Sequence, residues 1–197
     1  MKKEIIKGNS PLLFLIMKII SGKHRSRIIK YVKSATTRPT SNIVREGVFN
    51  MLINVTNLIV LDLFAGSGSY GLEALSRGAQ YVYFNDINYK NTSLIKENLN
   101  SLKELEKANI LTLDYQKALN YYKNNNIYFD LIFIDPPYFK GTYETVIPLI
   151  IDRLKDGGKI VIEINKGLEI NLDYPNLEVS KDKIYGSKRI IVLSHTL

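Results

Sequence analysis

The chain has 197 residues, 45% of them hydrophobic, enough for one domain with a full core and a small appendage. It has no cysteine and only two histidines, His24 and His195, which excludes a disulfide framework, a thiolate nucleophile and an ordinary zinc site. Its net charge of +8 is uneven: residues 1–50 hold 11 Lys+Arg against Glu4 and Glu46, whereas residues 51–197 hold 16 against 17, and a basic arm on a neutral body points to a polyanionic partner.

Residues 1–16 stand apart as an extension, and Met17 is an alternative start. The longest apolar run, Pro11 to Met17, is far shorter than the roughly 20 residues that cross a bilayer. No small-residue cleavage site follows it, so a cytoplasmic protein without membrane attachment is expected. Ile19-Ile20 and Ile28-Ile29 flank Ser21-Gly22, a turn signal that predicts a small hairpin. Alternation along it would put Lys23, Arg25 and Arg27 on one face, where they could follow a phosphate backbone. The polar loop 34–41 carries Arg38, and Thr40 or Ser41 can cap a helix with Ile43, Val44, Val48, Met51 and Leu52 at helical spacing. Arg38, Thr40 and Arg45, in or beside this loop, join the hairpin as expected nucleic-acid contacts. Residues 17–56 thus read as a basic arm.

From residue 57 apolar strands alternate with helices. Strands are predicted at 58–64, 81–84, 110–113, 131–134 and 159–164. Helices are predicted at 69–77, 91–102, 115–122 and 143–154. Continuous apolar strands separated by helices mean a parallel sheet covered on both faces. Leu177–Val179 and Lys188–Leu193, joined through Tyr185-Gly186-Ser187, read as an antiparallel pair completing it. The fold class is α/β, Rossmann-like, over residues 57–197.

The first strand runs into Phe64-Ala65-Gly66-Ser67-Gly68-Ser69-Tyr70-Gly71. Gly66, Gly68 and Gly71 fit G-x-G-x-x-G between a strand and a helix. Asp86, 20 residues after Gly66 at the end of the second strand, can accept hydrogen bonds from ribose hydroxyls. Asp62 puts negative charge under the loop, which suits the cationic end of S-adenosyl-L-methionine and opposes the pyrophosphate of NAD. Asp114, ending the third strand, can receive an adenine amine or cap a helix. Ile87 and Tyr115, beside these acids, complete the expected cofactor site.

The fourth strand ends in Asp135-Pro136-Pro137-Tyr138. The prolines stiffen the backbone and leave carbonyls unpaired. Asp135 and the Pro136 carbonyl could accept the two N–H groups of a nucleobase amine, with Tyr138 stacked on the base. Ligands of open α/β sheets bind outside the carboxyl ends of the strands, so both halves should face one crevice.

These residues resemble the amino-methyltransferases that depend on S-adenosyl-L-methionine. Met17-Lys18-Ile19-Ile20-Ser21-Gly22, Thr37-Arg38-Pro39-Thr40-Ser41, Val44-Arg45-Glu46, Phe49-Asn50, Val60 to Gly68, Gly71 to Ala79 and Tyr185-Gly186 resemble one group more closely. That group is the bacterial enzymes that methylate N2 of a guanine in 16S rRNA, with guanine 966 as target. The resemblance implies a class I methyltransferase fold with seven strands, no metal, and a small-subunit or pre-ribosomal RNA substrate; a monomer is expected. It also implies the cofactor roles of Gly66, Gly68, Asp86 and Asp114 and the base-holding role of Asp135 to Tyr138. Asp86 stands where the family usually has glutamate, and Asn88 where aspartate is common. A DNA or RNA adenine-N6 methyltransferase shares the Asp-Pro-Pro-Tyr chemistry and is the nearest alternative.

Overall fold

In the computed structural model, which describes residues 14–32, 41–136 and 141–196, strands β1 (Phe14–Lys18) and β2 (Ile28–Val32) pair antiparallel as a two-stranded sheet. Strand β1 starts before Met17, so the expected boundary at that residue falls inside it. The connection from Ile19 to Arg27 is longer than the tight turn expected at Ser21-Gly22, and it lies on the helix that follows the glycine loop. Lys23 N–H donates to the Ser76 carbonyl (2.8 Å) and His24 N–H to Ser76 Oγ (3.0 Å). Gly22 has φ +82°, and a Cβ there would come within 1.9 Å of the Ser76 carbonyl oxygen. Gly22→Ala should therefore cost about 1–3 kcal/mol of stability, read as a lower denaturant midpoint at unchanged slope.

Helix α1 (Asn42–Leu52) starts at Ser41, whose hydroxyl accepts from Val44 N–H (3.3 Å). Its Gly47 lies so close to Tyr185 that a Cβ would meet the ring at 2.4 Å. The element order continues β3 (Ile59–Asp62), α2 (Ser69–Ser76), β4 (Tyr81–Asn85), α3 (Tyr89–Leu102), β5 (Ala108–Leu111), α4 (Tyr115–Asn124), β6 (Phe129–Ile134), α5 (Thr142–Ile151), β7 (Leu154–Asn165), β8 (Leu177–Tyr185) and β9 (Lys188–His195). The predicted fourth helix is shorter than expected at its end. Leu154 already pairs with Phe129, and an irregularity between Phe129 and Leu131 absorbs the extra residues around Gly157, at φ +69°.

The seven-stranded sheet has the order β5-β4-β3-β6-β7-β9-β8. Strands β3 to β7 are parallel; β9 runs antiparallel to both β7 and β8. Alternate residues feed two cores. Val60, Phe84, Leu131, Phe133, Val161 and Val192 face α1, α2, α3 and the β1–β2 hairpin. Leu61, Ile132, Ile134, Ile160, Ile162 and Leu193 face α4 and α5. Both faces are covered, which is why the strands read as unbroken apolar runs. This is the α/β fold of class I S-adenosylmethionine-dependent methyltransferases, with its antiparallel C-terminal hairpin. Among the described residues no helix is long and apolar enough to cross a membrane.

Candidate active site

Strands β3 and β6 are neighbours, and the direction of the sheet reverses its order between them: β4 and β5 lie to one side, β7 to the other. The loops after β3, β4, β5 and β6 consequently open at one edge. Gly66 and Gly68 both have positive φ, +53° and +74°. Among the described residues, a Cβ on Gly66 would meet the Phe64 carbonyl at 4.0 Å and nothing nearer, which leaves a hollow against the loop. Gly71 has a different reason: a Cβ there would strike the Phe84 ring at 2.2 Å, so it is what lets α2 sit down on β4.

Asp86 ties this loop to β4. Its Oδ2 accepts from Gly66 N–H (2.7 Å) and its Oδ1 from Asn88 N–H (2.8 Å). Each carboxylate oxygen has a second lone pair, so capacity for a ribose diol remains. Ile87, next to it, is 73% exposed, an apolar surface that a planar base would cover. Phe64 and Tyr115 pack ring to ring on the other side, with centroids 5.6 Å apart. Asp114 caps α4, Oδ1 accepting from Gln116 N–H (2.9 Å), so the cap role left open by the sequence is filled. Ala65 N–H donates to the Asn85 carbonyl, and Ser67 completes the turn.

Asp62 is buried at the end of β3 and accepts from Gly71 N–H (3.0 Å). Burial pushes its carboxyl up to about 7, against the pull of that hydrogen bond, and the charges of Asp135 and Asp86 push in the same direction. Three acids from three strand ends thus converge on one region. A cationic ligand is what such a region favours. The residues fit S-adenosyl-L-methionine: a hollow at the glycine loop, acceptors for a diol, an apolar cover, and a buried acid for the positive end.

The sign of the pH effect follows. The folded protein holds a proton on Asp62 that the unfolded chain releases near pH ~4, so this site's contribution to stability falls as pH rises from ~4 towards 7. Cofactor binding runs the other way, because a cation favours charged Asp62. Affinity for S-adenosyl-L-methionine should rise about tenfold between pH 6 and pH 8, measured by calorimetry. Asp62→Asn should flatten the curve; a flat curve in the parent would remove Asp62 from the site.

Asp135 is partly buried where β6 leaves the sheet, and Pro136 is buried. Burial pushes the Asp135 carboxyl up to about 6, and the Lys188 ammonium pulls it down. Pro137 and Tyr138 lie outside the described residues. The groups behind Asp135 escaped the reading of the sequence. Glu163 is buried on β7; Tyr70 donates its hydroxyl to Glu163 Oε2 (2.7 Å), and Lys188 Nζ lies 2.7 Å from Oε1. The signal available was a lone acid in the apolar run Ile160-Val161-Ile162-Glu163-Ile164. Asn85 is a second missed residue. Its Nδ2 donates to the Leu63 and Leu113 carbonyls (3.2 and 3.1 Å), holding the ends of β3, β4 and β5 together.

The basic arm is not arranged as expected. Lys23, Arg25 and Arg27 lie in the β1–β2 loop and not on alternating strand positions. Lys23 pairs with Glu104, Arg27 donates to the Ser101 carbonyl (3.0 Å), and Arg25 is exposed. Arg45 is a correction. It is fully buried on the inner face of α1 and donates to the Lys18 carbonyl and to Asn42 Oδ1 (3.1 Å), with Glu73 at 3.6 Å. A side chain with that burial cannot reach a nucleic acid from outside. Arg38 and Thr40 lie outside the described residues.

Comparison with known proteins agrees with this geometry. The family model "Conserved hypothetical protein 95" matches residues 17–194. The ribosomal RNA small subunit methyltransferase D of Haemophilus influenzae is 36% identical over 176 residues, covering 86% of this chain and 89% of that protein. A solved structure of Escherichia coli yhhF matches with TM-score 0.77 at 27% identity, covering 92% of this chain and 98% of the other. The fold also matches that of a Thermus thermophilus 16S rRNA N2 G1207 methyltransferase solved with AdoMet and guanosine, with TM-score 0.71 at 18% identity over 97% of this chain and 52% of that one. The cofactor of the fold is S-adenosyl-L-methionine. By the family model and its relatives, the chain belongs to the ribosomal RNA small subunit methyltransferase D family.

Proposed function

We propose that this protein methylates N2 of a guanine in 16S rRNA, within the small subunit or its precursor, with guanine 966 as the target the family resemblance suggests. The observation that carries the reading is the placement of Asp135 and Pro136 at the end of β6, beside β3 and its glycine loop. Bound S-adenosyl-L-methionine supplies an electrophilic methyl group. Gly66, Ser67 and Gly68 let the backbone approach it, with Phe64, Ala65 and Gly71 shaping the loop. Asp86 holds the ribose, Ile87, Asp114 and Tyr115 hold the adenine, and Asp62 faces the positive end.

Asp135 and the Pro136 carbonyl accept the two N–H bonds of the guanine amine. This turns the nitrogen lone pair out of the ring system and steadies the positive charge that grows on it. Pro137 adds stiffness and Tyr138 a stacking face. The methylated nitrogen loses its proton to solvent after transfer, so no strong base is needed. Arg25, with Lys23, Arg27, Arg38 and Thr40, contacts the RNA backbone.

The test is transfer of tritiated methyl from S-adenosyl-L-methionine to small-subunit RNA and particles, followed by nucleoside analysis. N2-methylguanosine is expected. N6-methyladenosine instead would overturn the base assignment and favour the adenine-N6 alternative.

A further inference from the structure

Among the described residues, five titratable groups surround Asp135, one from each packed element: Asp62 from β3, Tyr70 from α2, Tyr143 from α5, Glu163 from β7 and Lys188 from β9. Of these five, Lys188 is the cation. Ile134 pairs with Ile162, so Asp135 leaves the sheet beside Glu163. Lys188 opens β9 opposite Asn165, two residues beyond Glu163 on the same edge. Glu163 is itself immobilised. The Tyr70 hydroxyl donates to its Oε2 (2.7 Å), and the Tyr143 hydroxyl donates to its backbone carbonyl (2.8 Å). Tyr70 in turn stacks flat on Phe133 of β6, centroids 4.7 Å apart. The Lys188 ammonium, 2.7 Å from Glu163 Oε1, is thus anchored at a fixed place near the catalytic corner.

The protonation of Asp135 decides which base edge it matches. A charged carboxylate has two acceptor oxygens and no donor. Guanine presents N1–H and N2–H side by side, two donors. Adenine presents N6–H beside N1, a donor and an acceptor, which would suit a protonated acid. Burial works against the charged form of Asp135, and the Lys188 ammonium works in its favour.

We propose that Lys188, anchored by Glu163, is a positioning residue that keeps Asp135 in its charged, two-acceptor form and so fits the corner to the guanine edge. This rests on the guanine-N2 reading. Lys188 does not touch the base; it acts through Asp135.

The test is the pH profile of turnover on small-subunit particles that lack the modification. At saturating S-adenosyl-L-methionine, where the Asp62-linked change in affinity drops out, the acid limb in the parent protein reports Asp135. In Lys188→Met that limb should move to higher pH by about one unit or more, and Lys188→Arg should restore it. S-adenosyl-L-homocysteine affinity, measured alongside, should change little. The midpoint of the limb is independent of the folded fraction, so partial loss of stability does not obscure it. A Lys188→Met limb at the parental pH, or an Arg variant as shifted as Met, overturns the role. If the parent protein forms no N2-methylguanosine, the functional reading itself fails, whatever Lys188 does.

Discussion

Asp135→Ala lowers methyl transfer at saturating cofactor by about 10²-fold or more, the usual cost of losing one transition-state contact, and leaves cofactor binding largely intact. The reasoning is local. Asp135 stands at the end of β6, partly buried, and Lys188 keeps Glu163 at 2.7 Å without it. The cofactor side is built on other residues, from Asp62 to Asp114. Single-turnover rates with small-subunit particles, set beside equilibrium binding of S-adenosyl-L-homocysteine, separate the two. An alanine variant that turns over at the parental rate would remove Asp135 from the chemistry.

Glu73→Ala has the largest expected effect on stability, about 3–5 kcal/mol, because it leaves a buried cation unpaired. Glu73 is fully buried in the middle of α2. Its carboxylate accepts from Ile20 N–H (2.8 Å), Ser21 N–H (3.0 Å) and Arg77 Nε (2.8 Å), and Arg45 Nε lies 3.6 Å away. One side chain thus joins the hairpin loop, α1 and α2. A loss of this size is a large part of the roughly 5–15 kcal/mol that holds a typical domain together. Chemical denaturation measures it, and limited proteolysis should show cleavage in residues 19–27 first. A cost under about 1 kcal/mol would show that the arm is held by its other contacts, the apolar ones of Met17, Ile19 and Ile29 and the hydrogen bonds to Ser76.

Much of the sheet was legible because its signals are local. Short apolar runs gave β3, β4 and β6 within a few residues, and Gly66, Gly68 and Asp86 marked the loop by spacing. The placement of β6 beside β3 followed from how such folds are wound. The misreadings share another cause. Leu154 looked helical from its neighbours, but its pairing with Phe129 is a contact across 25 residues. Strand β1 was hidden in an apolar run that shows no alternation. Arg45 looked like a nucleic-acid contact because its partners on β1 and α2 are far away in the chain. Glu163 and Lys188 are likewise joined only once β9 lies against β7. Local pattern reports on a segment's own needs; ion pairs and docking loops are properties of the assembled sheet.

The strand order gives the C-terminal residues a part in timing. Strand β9, later in the chain than every other strand, lies between β7 and β8. As the polypeptide leaves the ribosome, β8 has no neighbour to join until β9 emerges, and α1 has no Tyr185 to rest against until β8 is in place. Domains are synthesised from the N-terminus onward, so the cofactor loops exist before the sheet closes. Entry of β9 then brings in the Lys188 ammonium beside Glu163 and fixes the ring under Gly47. Closure of the sheet and arrival of the Lys188 ammonium beside Glu163 therefore both depend on the last strand.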